Sequence, residues 1–385
     1  MEAAAAHRAR LAEALPGRTV VIAAGEAPIR SNDTAYDFRP DSDFCWLTGC
    51  AIENAVVVVR SGDAVLYMPP PAYPGEKAFW SDARYGELWA GAAPGPEDWA
   101  RALGIDVRRL SELRDEVLVD HEVARTLAAL RMYKDAWEID QLRQAVDRTV
   151  EGFAEVVREI PAAIAGRGER WLQGTFDRYA RAYGNGPGYA SIVGSGKHAP
   201  TLHWVRCDGP VLPEELLLLD MGVEVASHYT ADVTRTFPAS GRFSDAQRQV
   251  HDLVEKAHRA GLAAVGPGRD EALSDAGQQH RRYLICGIGH HLGLDVHDCA
   301  QAAPEAYQGA TLGEGMVLTV EPGLYFHAHD RAAGAAPDRG RHPGHRRRVR
   351  GAVPRAAAGR RRPGEMDGRP VSWRTFPSLC DVTLH

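Results

Sequence analysis

Two aspartates in one apolar stretch limit what this chain can fold into. Residues 216–236 read LLLLDMGVEVASHYTADVTRT, with Asp220 closing a run of four leucines and Asp232 set among β-branched residues. The leucine run predicts a strand buried on both faces, and Tyr229 to Thr236 predicts a second short strand with Asp232 inside it. Strands joined by so short a loop pair as a hairpin, which turns both carboxylates toward one pocket. Two ionised carboxylates there repel, so one takes a proton or the pair shares a divalent cation. The plainer alternative is that each Asp caps a turn or pairs with Arg235. It weakens because further ligand-type residues follow in apolar settings.

Residues 286–298 read CGIGHHLGLDVHD. Glycines at 287, 289 and 293 let backbone approach a ligand closely, and His290 and His297 are the imidazoles presented. On spacing alone His291 serves as well as His290, and the choice stays open. Residues 315–326, GMVLTVEPGLYF, predict a buried strand that carries Glu321 into an EPG turn. A Glu in an apolar strand is costly unless it is paired or bound to metal. Upstream, the Gly-rich run GNGPGYASIVGSGKHAPTLHW predicts two short strands with His203 on the second. A lone His before Trp204 is ordinarily a packed core residue.

Asp220, Asp232, His290 and Glu321 form an oxygen-rich set with one imidazole. Such a set suits Mn²⁺, Co²⁺ or Fe²⁺ and not a structural zinc site built on Cys. No HExxH occurs, so a zinc-helix protease is not indicated. Two ions sharing Asp232 at about 3.5 to 4 Å would activate a hydroxide and polarise a carbonyl, the chemistry of a carboxylate-rich hydrolase.

The rest of the chain sets the frame. A length of 385 residues with 44% hydrophobic and 25% charged residues allows two domains with real cores and excludes a fibrous or disordered chain. Six cysteines without CxxC spacing read as reduced thiols in a cytoplasmic protein. The start, MEAAAAHRARLAEAL, is too charged for a signal peptide, and no run approaches the roughly 18 apolar residues of a membrane span. Strands are expected at Arg18 to Ala24, Ala55 to Arg60 and Ala64 to Met68, with helices at His7 to Leu15 and Pro96 to Leu103. That alternation marks residues 1–120 as an α/β domain. Arg30 to Gly49, dense in Asp, Asn and aromatic residues, reads as a loop with Asx turns. Val119 to Val123 is the expected boundary. A long amphipathic helical stretch follows from His121 to Val157, then helices at Arg167 to Tyr183 and from Ser244, the expected N-cap, to Val265.

YTADVTRTFP, GHHLGLDVHD and GMVLTVEPGLYF, with LHW and SNDTAYDFRPDSDFCWLTG before them, resemble Xaa-Pro aminopeptidase (aminopeptidase P) of the pita-bread metallopeptidases. The resemblance runs from about residue 10 to residue 326. It implies an α/β (α+β) protein with an N-terminal α/β domain, residues 1–120, and a pita-bread catalytic domain, residues 121–330. It also implies a dinuclear Mn²⁺ site and removal of an N-terminal residue that precedes proline. Asp220, Asp232, His290 and Glu321 match the metal ligands, with Glu321 also handling the proton of the attacking water. His203 and His297 match the histidines that hold substrate and stabilise the tetrahedral intermediate, and Tyr325 takes a substrate-side position. A peptide substrate is implied, in a homo-oligomer such as relatives commonly form, with neither nucleic acid nor membrane as partner. The bond before proline is a tertiary amide with no N–H and a fixed φ, so general peptidases handle it poorly. A site that anchors the free amino terminus does not need that N–H.

The chain departs from the family in three places. Cys286 stands where many relatives carry a further histidine, which is expected to alter substrate handling and to expose the site to oxidation. Between Phe243 and His290 the chain is shorter, as if a segment after Pro267 were missing. After Phe326 the family continues into a strand ending in a Glu that bridges both metals. Here residues 331–385 instead hold thirteen Arg, no Lys and four acids, about +9, against a whole-chain charge of −6. Glu365, the sole Glu after Glu321, sits in no strand-like setting. The Arg, Ala, Gly, Pro and His mixture reads as a frameshift near residues 326–338. A nucleic-acid-binding tail is the weaker reading, since the run lacks interleaved aromatics. Loss of the bridging carboxylate is expected to impair activity, and loss of a last strand to leave a sheet edge that must find another cover. The alternatives are a prolidase, which takes only dipeptides, and an inactive peptide-binding protein on the same fold.

Overall fold

The computed structural model describes residues 2–117, 120–266, 283–284, 286–307, 310–326 and 381–384. The segment after Pro267, Val119 of the expected boundary, Glu365 and the tail composition therefore lie outside the described residues, apart from Asp381–Leu384. The chain divides into two compact units, Met1–Trp137 with Cys299–Gln308, and Glu138–Asp298 with Gly309–His385.

In the first unit the strands Thr19–Ala23, Val56–Arg60, Asp63–Met68 and Asp106–Arg109 form one sheet in that order. The first three pair antiparallel and the last joins in parallel. Val56 to Val59 are buried on both faces, as their unbroken valine run requires of a central strand. The stretch from Arg30 to Gly49 is more ordered than a loop, because Asp41 accepts from the backbone N–H groups of Asp43 and Phe44 and so starts a helix at Ser42–Thr48. That helix is apolar on nearly every side and buries Phe44, Trp46 and Leu47.

In the second unit, strands Val233–Pro238, Leu216–Met221 and Ile192–Ser195 make an antiparallel sheet in that order. Along Leu216–Met221 burial alternates, with Leu217, Leu219 and Met221 fully buried and Leu218 and Asp220 on the opposite, half-buried face. The helix Gly168–Tyr183 packs on Ile192–Ser195, and Phe153 of the helix Ala136–Arg158 meets Phe176 edge to face at 6.0 Å. Ser244 caps the helix Asp245–Ala264, accepting from the Gln247 N–H while Gln247 returns the bond.

Three local expectations shift. Strand pairing begins at Val233, so Asp232 precedes its strand instead of lying inside it. The second buried strand is Val317–Val320, and Glu321 is the first residue after it. The short strands Gly186–Pro187 and Ile192–Ser195 both precede His203, which lies exposed in a turn where the Val205 N–H donates to its carbonyl. Asp381–Leu384 pairs antiparallel with Val317–Val320, placing Asp381 opposite Val320. Asp381–Leu384 thus supplies a cover for that strand edge.

Candidate metal centre

The pairing register sets Asp220 opposite Thr234, two positions beyond Asp232. The two chains cross so closely at Gly222 that a Cβ there would lie 1.8 Å from the Ala231 carbonyl oxygen and 3.0 Å from the Tyr189 ring. Only a glycine permits this approach. Tyr189 fills the space behind it and bridges the aspartates, its hydroxyl 2.6 Å from Asp220 Oδ1 and 3.0 Å from Asp232 Oδ1. One hydroxyl hydrogen cannot serve both oxygens if both groups are ionised, so the trio shares a further proton or a cation. Burial, then the Asp232 charge, holds the Asp220 carboxyl well above the usual carboxylate range. Burial and the same two carboxylates push the Tyr189 hydroxyl up as well, which keeps it a donor.

His290 completes the cluster from another part of the chain. Its Nε2 lies 3.1 Å from Asp232 Oδ2 and 3.1 Å from Glu321 Oε1. Its Nδ1 donates to the His291 carbonyl at 3.0 Å, so the ring presents Nε2 to the carboxylates. Thr319 joins the two, its Oγ1 accepting from the His290 backbone N–H and donating to Glu321 Oε1 at 2.9 Å. Burial alone would lower the His290 pKa; the hydrogen bonds to Asp232 and Glu321 outweigh it and raise it to about 10. One donor atom from each of Asp232, His290 and Glu321 lies within 4.8 Å of the others. Side-chain exposure rises from 9% at Asp232 and 15% at His290 to 30% at Glu321, so the cluster opens on the Glu321 side. Three carboxylates around one imidazole suit a divalent cation, which would replace the protons that now balance them. A second grouping, His251, Asp252 and Glu255, comes from one helix and has Glu255 already paired with Arg259.

The remaining candidates lie around this cluster. The His297 ring stands edge-on to His290 at 4.4 Å. Burial, then the His290 charge, lowers its pKa, and His203 is near enough to add to that effect. Tyr325 lines a cavity of about 370 Å³ that runs from Glu321 along Leu218 and Leu216. His291 turns away and is 2% exposed, which separates it from His290. Burial, then the Glu321 charge, raises the Cys286 thiol, which disfavours the thiolate that oxidation attacks.

Tyr189 and Thr319 are the members that sequence reasoning passed over. Thr319 was within reach, since a hydroxyl two residues before Glu321 in an apolar strand shares its face. Tyr189 had no signal, being separated from Asp220 by 31 positions. Replacing Tyr189 with Phe is expected to lower metal affinity by about 10- to 100-fold, as loss of an outer partner of ligating carboxylates does. Metal titration followed by calorimetry checks this, and unchanged affinity would remove Tyr189 from the site.

Residues 140–348 match metallopeptidase family M24, and residues 4–125 match the N-terminal domain of aminopeptidase P. The chain is similar to Xaa-Pro aminopeptidase 2 of Streptomyces coelicolor, at 40% identity over 85% of this chain and 81% of the relative. It is similar also to Xaa-Pro aminopeptidase 1 of the same organism, at 42% identity over 85% and 77%. Among solved structures it resembles aminopeptidase P from E. coli with the inhibitor Pro-Leu, with a TM-score of 0.71 at 26% identity, covering 84% of this chain and 87% of that one.

Proposed function

The chain belongs to metallopeptidase family M24 and carries the N-terminal domain of aminopeptidase P, and from that premise we propose how its residues serve the family's reaction. It is a metallo-aminopeptidase that removes the N-terminal residue from peptides with proline in second position. The observation that carries the reading at the level of residues is the convergence of Asp232, His290 and Glu321 donor atoms beside the Asp220 and Tyr189 pair.

In this reading Asp220, Asp232, His290 and Glu321 hold the metal, which is manganese, as an oxygen-rich set with one imidazole favours. When bound, the metal polarises the scissile carbonyl and lowers the pKa of the attacking water. The carboxylates attract the substrate's terminal ammonium and orient it. Thr319 holds Glu321 Oε1, which leaves Oε2 to take a proton from water and return it to the departing proline nitrogen. His297, with its lowered pKa, is neutral at pH 7 and serves as a hydrogen-bonding partner for the substrate. His203 supports the same side from its exposed turn, and Tyr325 lines the adjoining cavity.

The cytoplasm is the setting proposed for this chemistry, since Cys45, Cys50, Cys207, Cys286 and Cys299 are all free thiols. Among the described residues no helix is long and apolar enough to cross a membrane. A homo-oligomer acting on free peptides completes the proposal.

Manganese content and hydrolysis of an Xaa-Pro-Xaa tripeptide, measured on one Mn²⁺-dialysed sample, test the reading. Turnover of the tripeptide with close to two ions per chain is the expected result and requires another residue in place of the missing bridging carboxylate; one ion or none, without turnover, would leave the family membership as ancestry and not activity. Turnover of Xaa-Pro dipeptides alone would point to a prolidase, and peptide binding without turnover to an inactive member of the fold.

A further inference from the structure

Outside the metal cluster, a fully bonded charged group of the second unit is Glu169, the second residue of the helix Gly168–Tyr183 and 0% exposed. Its Oε1 accepts from the Ser195 backbone N–H and from His198 Nδ1, both at 2.8 Å. Its Oε2 accepts from Trp204 Nε1 at 2.9 Å and from the Gly209 backbone N–H at 2.8 Å. Two donors on each oxygen fill the acceptor sites of a carboxylate. A buried charge is costly, and only such complete pairing makes it tolerable.

The four donors have one thing in common. Ser195 and Gly209 are the two ends of the segment that crosses from the strand Ile192–Ser195 toward the strand Leu216–Met221, and His198 and Trp204 are its middle. The segment's own backbone bonds are local turns, Ala199 N–H to Gly196, Thr201 N–H to His198 and Val205 N–H to His203. Among the described residues its longer-range anchors are Arg170, which donates to the Arg206 carbonyl, Gln173, which donates to the Val205 carbonyl, the Cys207 thiol on the Ser191 carbonyl, the Ser195 hydroxyl on Glu215, and the Glu169 backbone N–H on the Gly209 carbonyl; the Glu169 side chain reaches both ends and the centre. The backbone is shaped for this contact. Gly168 has φ +71° and a Cβ there would lie 2.6 Å from the Gly209 oxygen, while a Cβ on Gly209 would lie 2.5 Å from His198 Cε1. The His198 ring stacks on Trp204 at 3.9 Å, so the centre is packed as well as bonded.

His203 is one peptide bond from Trp204. We propose that Glu169 is a positioning residue for His203: by gathering Ser195, His198, Trp204 and Gly209 on one buried carboxylate, it holds an otherwise irregular segment so that His203 meets the peptide substrate. The inference rests on the role given to His203 above. A leucine would fill the same space but leave four donors without an acceptor. A carboxylate does what a leucine cannot, fixing four directions at once.

The test is a double-mutant cycle on the metal-loaded full chain, with Glu169→Gln, His203→Ala and the pair, using Xaa-Pro-Xaa hydrolysis and manganese content as readouts. Gln keeps the volume but turns an NH₂ toward two of the four donors. The expected result is a fall in kcat/KM of about 10- to 100-fold in the parent, the size of effect a displacement near 1 Å produces, with manganese content as in the parent. In the His203→Ala background the same substitution should change the rate less than about twofold, because coupled residues are not additive. An equal fall in both backgrounds, or none in the parent, would overturn the inference while leaving the aminopeptidase reading intact. If Glu169→Gln fails to fold, Trp204→Phe removes one donor and keeps the ring, and should show a smaller fall that also vanishes without His203. A parent protein that does not cleave Xaa-Pro peptides removes the functional reading, and the inference with it.

Discussion

His290→Ala is expected to lower kcat/KM for an Xaa-Pro-Xaa peptide by more than about 100-fold and to leave the protein short of metal. Outer partners of metal ligands are worth about 10- to 100-fold, and His290 stands inside that ring, with Nε2 3.1 Å from both Asp232 and Glu321. Removing the ring deletes a donor and also an imidazole whose raised pKa makes it a cation beside the carboxylates when no metal is present. Metal analysis of the dialysed variant beside the parent, with hydrolysis on the same samples, checks the prediction. The control is His291→Ala. That ring is buried and turned away, so its loss should act through stability and spare metal binding in the folded fraction. Equal metal content in the His290 variant and the parent would remove His290 from the ligand set.

Gly222→Ala should impair the site without touching any of its polar groups. The added Cβ would fall 1.8 Å from the Ala231 carbonyl oxygen, which is backbone and cannot swing aside. The chain carrying Asp232 must therefore move away from the chain carrying Asp220, and the Tyr189 ring, 3.0 Å from the same Cβ, moves with it. Overpacking of this kind costs about 1 to 3 kcal/mol of stability, read as a lower urea midpoint. A shift near 1 Å between the two aspartates is expected to cost about 100-fold in turnover. Loss of stability with full activity in the folded protein would show that the spacing of Asp220 and Asp232 tolerates more than the close crossing suggests.

Much of this architecture can be read from local sequence. The Ser244 cap, the helix Pro96–Leu103 and the buried run Val56 to Val59 follow from neighbours within a few residues, and the structure has them where the residues indicate. Asp41 was legible in kind as an Asx group but not in consequence, since it caps a short buried helix whose formation depends on the surrounding core. His203 was misplaced by one element because two strands were expected to extend to it. The intervening segment is instead held by Glu169, a residue 26 to 40 positions upstream of the groups it binds. Periodicity carries no trace of such a contact.

Residue chemistry and local pattern by themselves determined the donor types, two aspartates, a glutamate and a histidine in apolar settings, and the pairing of the strands around residues 216–238. The tertiary structure alone decided that His290 and not His291 faces the carboxylates, that Tyr189 bridges Asp220 and Asp232, and that Thr319 ties His290 to Glu321. Strand and helix signals arise from steric and hydrophobic preferences over a few residues, whereas ring orientation and hydrogen-bond partnership are set by atoms distant in the chain that meet only once the sheet has formed.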